Sequence, residues 1–119
     1  MISIDQSSSI PPYEQVRRQL LDQIRRGELA TGARLPTVRT LAEQLLIAPN
    51  TVARAYRELE SDSIIETRGR NGSFVSAFGD PAQQQAQLAA RAYVERIRQL
   101  GVSAEEGIDL VAAAMRDPA

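Results

Sequence analysis

Apolar residues recur at helical spacing along most of the chain, with one β-prone interlude. From Pro11 and Pro12, the positions Tyr13, Val16, Leu20 and Ile24 make one stripe, and Arg17, Arg18, Arg25 and Arg26 fall largely off it. This predicts an amphipathic scaffold helix, with Gly27 as its left-handed stop. Residues 28–35 contain Gly32 and lead to Pro36, which reads as a turn and a short extended piece. The Thr37 hydroxyl can cap the next helix. There Val38, Leu41, Ala42 and Leu45 follow at i, i+3, i+4 and i+7 and bury one face over two turns. A short turn, Leu46-Ile47-Ala48, precedes Pro49, which is favoured at a first helical position because its missing N–H costs no internal bond. Val52, Ala55, Tyr56 and Leu59 form the inward face of this second helix. At about 100° per residue, Asn50, Arg54 and Arg57 project from the other side.

Residues 64–68 (Ile-Ile-Glu-Thr-Arg) and 73–75 (Ser-Phe-Val) are β-prone and are separated by Gly69-Arg70-Asn71-Gly72. Asn-Gly in that setting predicts a hairpin. A bare hairpin needs no arginine at its tip. Here Arg68 and Arg70 flank it, beside backbone N–H groups freed by glycine, which suits phosphate contact. Residues 35–75 thus run helix, tight turn, helix, ribbon. That is the plan of a winged helix-turn-helix, which offers one helix to a major groove and one loop to the neighbouring backbone.

Residues 79–82 (Gly-Asp-Pro-Ala) make a break, with Asp80 placed to cap a helix starting at Pro81. Ala86, Ala90, Tyr93, Ile97 and Leu100 then recur at intervals of four and three, a seam of nearly three heptads. Gly101 ends that helix. Ser103 with Glu106 forms a capping-box pattern for a last helix bearing Ile108, Val111 and Met115. Two helices this short cannot enclose a metabolite pocket of their own. They are expected to pair with a second copy through Ala86, Ala90, Tyr93, Ile97, Leu100, Val111 and Met115. The expected fold is mainly α with a small β-wing. Residues 1–10 are polar, Ser-rich and expected to fray, residues 11–78 form the winged helix-turn-helix, and residues 79–119 form a helical dimerisation tail.

Composition narrows the function. The chain has 119 residues, enough for one compact domain and a small appendage. No apolar run is long enough to span a membrane, and MISIDQSSSI lacks the basic-then-apolar layout of a signal peptide, so a cytoplasmic protein is expected. Without cysteine or histidine, the commonest nucleophile, general base and metal ligands are missing, and neither an enzyme nor a cofactor or metal site is expected. Net charge is −1 and the pI about 5.5, whereas nucleic-acid binders often exceed a pI of about 9. All 14 basic residues are arginine. DNA binding must therefore come from where the arginines sit rather than from bulk attraction.

The segment from Tyr13 through Val75 resembles the DNA-binding domain of the GntR family of bacterial transcription regulators. The likeness rests on Gly27-x-Leu29, then Gly32-x-x-Leu35-Pro36-Thr37-x-Arg39-x-Leu41-Ala42. It continues through Asn50-Thr51-Val52-x-x-Ala55-Tyr56-x-x-Leu59-Glu60 and Gly72-Ser73-Phe74-Val75. The short tail is similar to the YtrA-type branch, whose members dimerise through such a tail and lack large effector domains. The resemblance implies a DNA surface at Thr37 and Arg39 of the first motif helix and at Asn50, Thr51, Arg54 and Arg57 of the recognition helix. It implies a wing of Arg68, Arg70, Asn71 and Gly72. The chain departs from the family pattern at Leu46 and Ser63, where glycine is usual, and at Ala48, where serine is usual.

The resulting expectation is a homodimeric repressor on a palindromic, double-stranded DNA operator, with no small-molecule effector identified by the residues. A protein-interaction adaptor built on a winged-helix scaffold, without DNA binding, is the alternative that the acidic pI favours.

Overall fold

The computed structural model describes residues 2–78 and 81–117. The elements run α1 (Pro12–Arg25), α2 (Val38–Leu45), α3 (Pro49–Ser61), β1 (Ile65–Thr67), β2 (Ser73–Val75), α4 (Pro81–Gln99) and α5 (Ala104–Met115). Val16, Leu20 and Ile24 of α1 meet Leu41 and Ala42 of α2 and Val52, Ala55, Tyr56 and Leu59 of α3 in one buried cluster. Leu35, Ile65 and Val75 close it. Each fully buried aliphatic side chain contributes roughly 1.5–3 kcal/mol relative to exposure, which is what holds three short helices together. Among the described residues, no helix is long and apolar enough to cross a membrane.

Each helix of the head stops in the same way. After α1, Gly27 adopts φ +78 and the Glu28 N–H reaches back to Gln23 O at 2.9 Å. Leu46 (φ 57) and Ser63 (φ 60) take the same left-handed conformation after α2 and α3, closed by Ile47 N–H on Ala42 O at 3.1 Å and Ile64 N–H on Leu59 O at 2.9 Å. Those bonds turn the chain within a few residues, so the backbone accepts a non-glycine at both sites at about 1–2 kcal/mol each.

The wing is the predicted hairpin. β1 and β2 pair antiparallel, with Ile65 opposite Val75 and Thr67 opposite Ser73. Its tip is a five-residue loop containing a 3-10 turn over Gly69–Asn71, closed by Arg68 N–H on Gly72 O at 2.8 Å. Left-handed Gly69 and Gly72 (φ 56 and 102) allow that loop. The extended piece before α2 adds a third edge: Arg34 bridges to Phe74, and Leu35 N–H donates to Ser73 O at 2.8 Å.

Residues 2–10 also depart from the expected fraying. Ile2 and Ile4 pack against the core. Ser3 exchanges two bonds with the Gln19 amide, and buried Gln15 accepts from Asp5 N and donates to Ile10 O, both at 2.8 Å. Two glutamines on α1 supply the partners that a solitary extended segment lacks.

In the tail, Ser103 caps α5 by accepting from Glu106 N–H at 3.1 Å. The Tyr93 hydroxyl donates to Gly107 O at 2.7 Å, and a Cβ at Gly107 would overlap Ile97 Cδ1, so α4 and α5 pack closely there. Within one chain the residues of the heptad seam meet different surroundings along its length. Tyr93 and Ile97 are used against α5, Ala90 lines a cleft beside the head, and Ala86 is exposed. Tyr93 and Ile97 also line, with Leu100, Leu110, Val111 and Met115, a groove that stays open. The expected cap at Asp80 lies outside the described residues.

Candidate nucleic-acid interface

Three elements converge on Leu35 and Pro36, just ahead of α2. The Tyr56 hydroxyl of α3 donates to Pro36 O at 2.6 Å, while the wing accepts from Leu35 N–H through Ser73 O. Burial pushes the Tyr56 phenol up to about 12. It therefore stays a proton donor across ordinary pH and pins α3 to the start of α2. A further bond, Thr67 Oγ1 to Glu60 Oε2 at 2.9 Å, ties β1 to the end of α3. The start of α2, α3 and the wing are thus held as one unit.

Thr37 is the N-cap of α2, with its oxygen accepting from Thr40 N–H at 3.1 Å, so its hydroxyl is already engaged in the fold. Arg39, on the first turn of α2, is exposed. Asn50 and Thr51 occupy the first turn of α3, which starts at Pro49 after an Ala48 that provides no side-chain cap. Thr51 is half-buried, whereas Asn50, Arg54 and Arg57 are exposed. In the wing, Arg68, Arg70 and Asn71 are exposed, and Gly72 lies beneath the Arg34 side chain.

The six arginines of this surface fall into two groups. Arg39, Arg57, Arg70 and Arg34 have no carboxylate partner among the described residues. Arg54 and Arg68 are held. The Arg54 guanidinium sits 3.6 Å from the centroid of the Tyr13 ring with its Nε 3.3 Å from Glu58. Arg68 stacks on Phe74 at 4.3 Å and pairs with Glu66 at 2.7 Å. Glu58 lies 4.0 Å from Arg17, which is itself bonded to Glu14. The Arg17 hydrogen bond holds the Glu14 carboxyl below its ordinary range. Arg54 therefore belongs to a charged chain joining α1 to α3, and its orientation is set by the fold.

Arg34 is the residue that the sequence pattern left out. It lies on the third wing edge, with its Nε 3.2 Å from where a Gly72 Cβ would stand. Gly72 is therefore needed for close approach as well as for its backbone angle. Alternation about Arg34, between half-buried Ala33 and buried Leu35, was the available signal. Residues 34–57 hold four arginines and one carboxylate, so this face is cationic within a chain of net charge −1.

A three-helix head whose second motif helix turns Asn50, Arg54 and Arg57 outward, beside an arginine-bearing wing, defines a winged-helix DNA-binding protein. More narrowly, the chain belongs to the GntR family: residues 12–75 match the model for bacterial regulatory proteins of the gntR family. It is 49% identical over 107 residues to the HTH-type transcriptional regulator Rv1152 of Mycobacterium tuberculosis, covering 90% of this chain and 88% of that protein. It is 45% identical over 76 residues to the HTH-type transcriptional repressor YtrA of Bacillus subtilis, covering 64% of this chain and 58% of that one. Among solved structures, YtrA from Sulfolobus acidocaldarius, a GntR-family transcription factor, matches with a TM-score of 0.61 and 28% identity over 94% of each chain. The protein is accordingly a DNA-binding transcriptional regulator with YtrA-type relatives and not an enzyme. Family membership decides against the adaptor alternative.

Proposed function

We propose that the chain is one subunit of a homodimeric repressor that binds a palindromic operator. The uncovered apolar face of the tail carries this reading. Ile108 and Met115 are 70% and 81% exposed, beside the groove of Leu100, Leu110 and Val111. So much contiguous apolar surface on a helical hairpin is ordinarily covered, and a second copy offers a self-complementary cover. The repressor role is supported by the name of the Bacillus subtilis relative.

In this reading α3 enters the major groove, with Asn50, Thr51, Arg54 and Arg57 toward the bases. Arginine to guanine and asparagine to adenine each give about 1–3 kcal/mol of discrimination. Arg39, Arg70, Asn71 and Gly72, joined by Arg34, contact phosphates and fix the register. Thr37 acts by holding the start of α2 in place. Arg68, already paired with Glu66, supports the wing. Two heads joined at the tails place half-sites about one helical turn, or a multiple of it, apart.

Titration of a promoter fragment and of random DNA at rising salt tests this. Log affinity should fall with log salt at a slope of about −0.9 per phosphate neutralised, with the promoter retaining an advantage. Equal affinity for both at moderate salt sinks the operator reading. A monomer mass in sedimentation at working concentration sinks the dimer.

A further inference from the structure

Head and tail face each other across a cleft whose lining includes no residue of α2, α3 or the wing tip. It lies between the C-terminal end of α1, with the turn that follows, and one side of α4, and has a volume of about 530 Å³. That is ample for a drug-sized molecule, since such sites run to roughly 300–1,000 Å³. Ile24, Phe78 and Val94 give it an apolar wall, and Arg25, Arg26, Arg91 and Arg98 give it a cationic rim. Among the described residues, no carboxylate lines it.

The four guanidiniums differ in how they are compensated. Arg26 pairs with Asp22 at 3.1 Å and Arg91 with Glu95 at 3.3 Å. Arg25 and Arg98 come from opposite walls and have no carboxylate partner among the described residues. Two guanidiniums without a carboxylate partner at the rim of one apolar cleft offer charge-assisted donors to an anion.

The walls are preorganised. The Gln87 amide accepts from Thr31 Oγ1 at 2.8 Å and from Phe78 N at 3.0 Å, and donates to Phe78 O at 2.9 Å. One side chain on α4 therefore fixes both the turn after α1 and the aromatic residue of the wall. The Arg91 stem lies across Gly32, where an added Cβ would stand 3.1 Å from its Cγ. Head and tail are thus joined at the cleft by side-chain bonds, and an occupant would touch both.

We propose that this cleft binds a small amphipathic organic anion, with an apolar or aromatic body against Ile24, Phe78 and Val94. Its carboxylate, sulfonate or phosphate head lies between Arg25 and Arg98. Such a ligand favours whichever head-to-tail angle suits its contacts. On the dimer reading above, that angle sets the separation of the two recognition helices, which makes the cleft an entry point for a signal. Binding itself does not rest on the dimer.

Fluorescence titration of the full chain, without DNA, tests it with 8-anilinonaphthalene-1-sulfonate as the probe and neutral N-phenyl-1-naphthylamine as the charge control. The sulfonate should bind saturably at one site per chain. Joint Arg25→Ala and Arg98→Ala replacement should weaken it by about tenfold or more, the usual effect of losing a charge-assisted contact. The neutral dye should change far less, and Ala90→Trp, which fills the cleft, should remove both. Leu110→Ser in the tail groove should leave the sulfonate affinity unchanged. Sulfonate binding that is indifferent to the arginines, that falls with Leu110→Ser instead, or that falls in parallel with the neutral dye overturns the proposal. Because no DNA is present, such a failure leaves the operator reading untouched.

Discussion

Leu46 ends α2 at φ 57 and ψ 43 with its side chain 88% exposed, so replacing it probes the backbone almost alone. A non-glycine residue in the left-handed region costs about 1–2 kcal/mol. Glycine removes that penalty but returns about 0.4–1 kcal/mol through the greater freedom of the unfolded chain. The burial forfeited is small, an eighth or so of the roughly 1.5–3 kcal/mol that a fully buried leucine is worth. Leu46→Ala forfeits the same burial and keeps the penalty, so it is the proper reference. Leu46→Gly should exceed Leu46→Ala in stability by about 0.5–1 kcal/mol, a few degrees in Tm. Urea unfolding at constant m-value and protein concentration measures the gap. Ser63 (φ 60) offers an independent repeat with Ser63→Gly against Ser63→Ala. If alanine equals or exceeds glycine at both sites, the left-handed stops assigned to this head are wrong.

The remaining expectations concern capping, charge, titration and assembly. Ala48 has cap-compatible angles (φ −66, ψ 140) and no capping side chain, so Ala48→Ser should raise stability by about 1 kcal/mol; an unchanged urea midpoint counts against it. Arg39→Ala and Arg70→Ala should each weaken specific and random DNA binding alike and reduce the salt slope by about one, whereas Asn50→Ala should flatten sequence preference; an unaltered slope removes the phosphate assignment. The phenol of Tyr56, with a pKa of about 12 folded and about 10 unfolded, contributes stability fully below pH 10 and loses it as pH rises from 10 toward 12. Tyr56→Phe should lose about 1 kcal/mol at neutral pH, and its gap from the parent should shrink over that window; a pH-independent gap refutes the burial-raised phenol. Ile108→Asp with Met115→Asp should weaken self-association and leave the head's unfolding midpoint in place; dimers of undiminished strength would place the contact elsewhere.

Much of the fold was legible in the pattern of residues because the signals are local. Helix faces such as Val52-Ala55-Tyr56-Leu59, the proline starts at Pro12 and Pro49, and the stops at Gly27 and Gly101 depend on spacing and backbone preference within a few residues. The departures at Leu46, Ser63 and Ala48 were legible only against the family pattern that the chain resembles, and the backbone there is left-handed at the first two and uncapped at the third. The wing hairpin was legible from its Gly-rich tip, whereas the Arg68–Gly72 closure and the packing of Arg34 on Gly72 were not.

Sequence alone therefore determined the class of the protein: helix, turn, helix and wing in order, followed by a short helical tail. Which groups meet across the fold was decided by tertiary structure. Residues 2–10 read as a free polar tail until Gln15 and Gln19 are seen to bind them. Arg54 and Arg57 look equivalent on a helical wheel, yet Tyr13 and Glu58 engage one and leave the other open. The tail's heptad spacing could not say that Tyr93 and Ile97 would be used within the chain, nor that Ala90 would line a cleft against the head. Periodicity reports which side of an element is apolar; what covers that side depends on residues tens of positions away, brought near by packing alone.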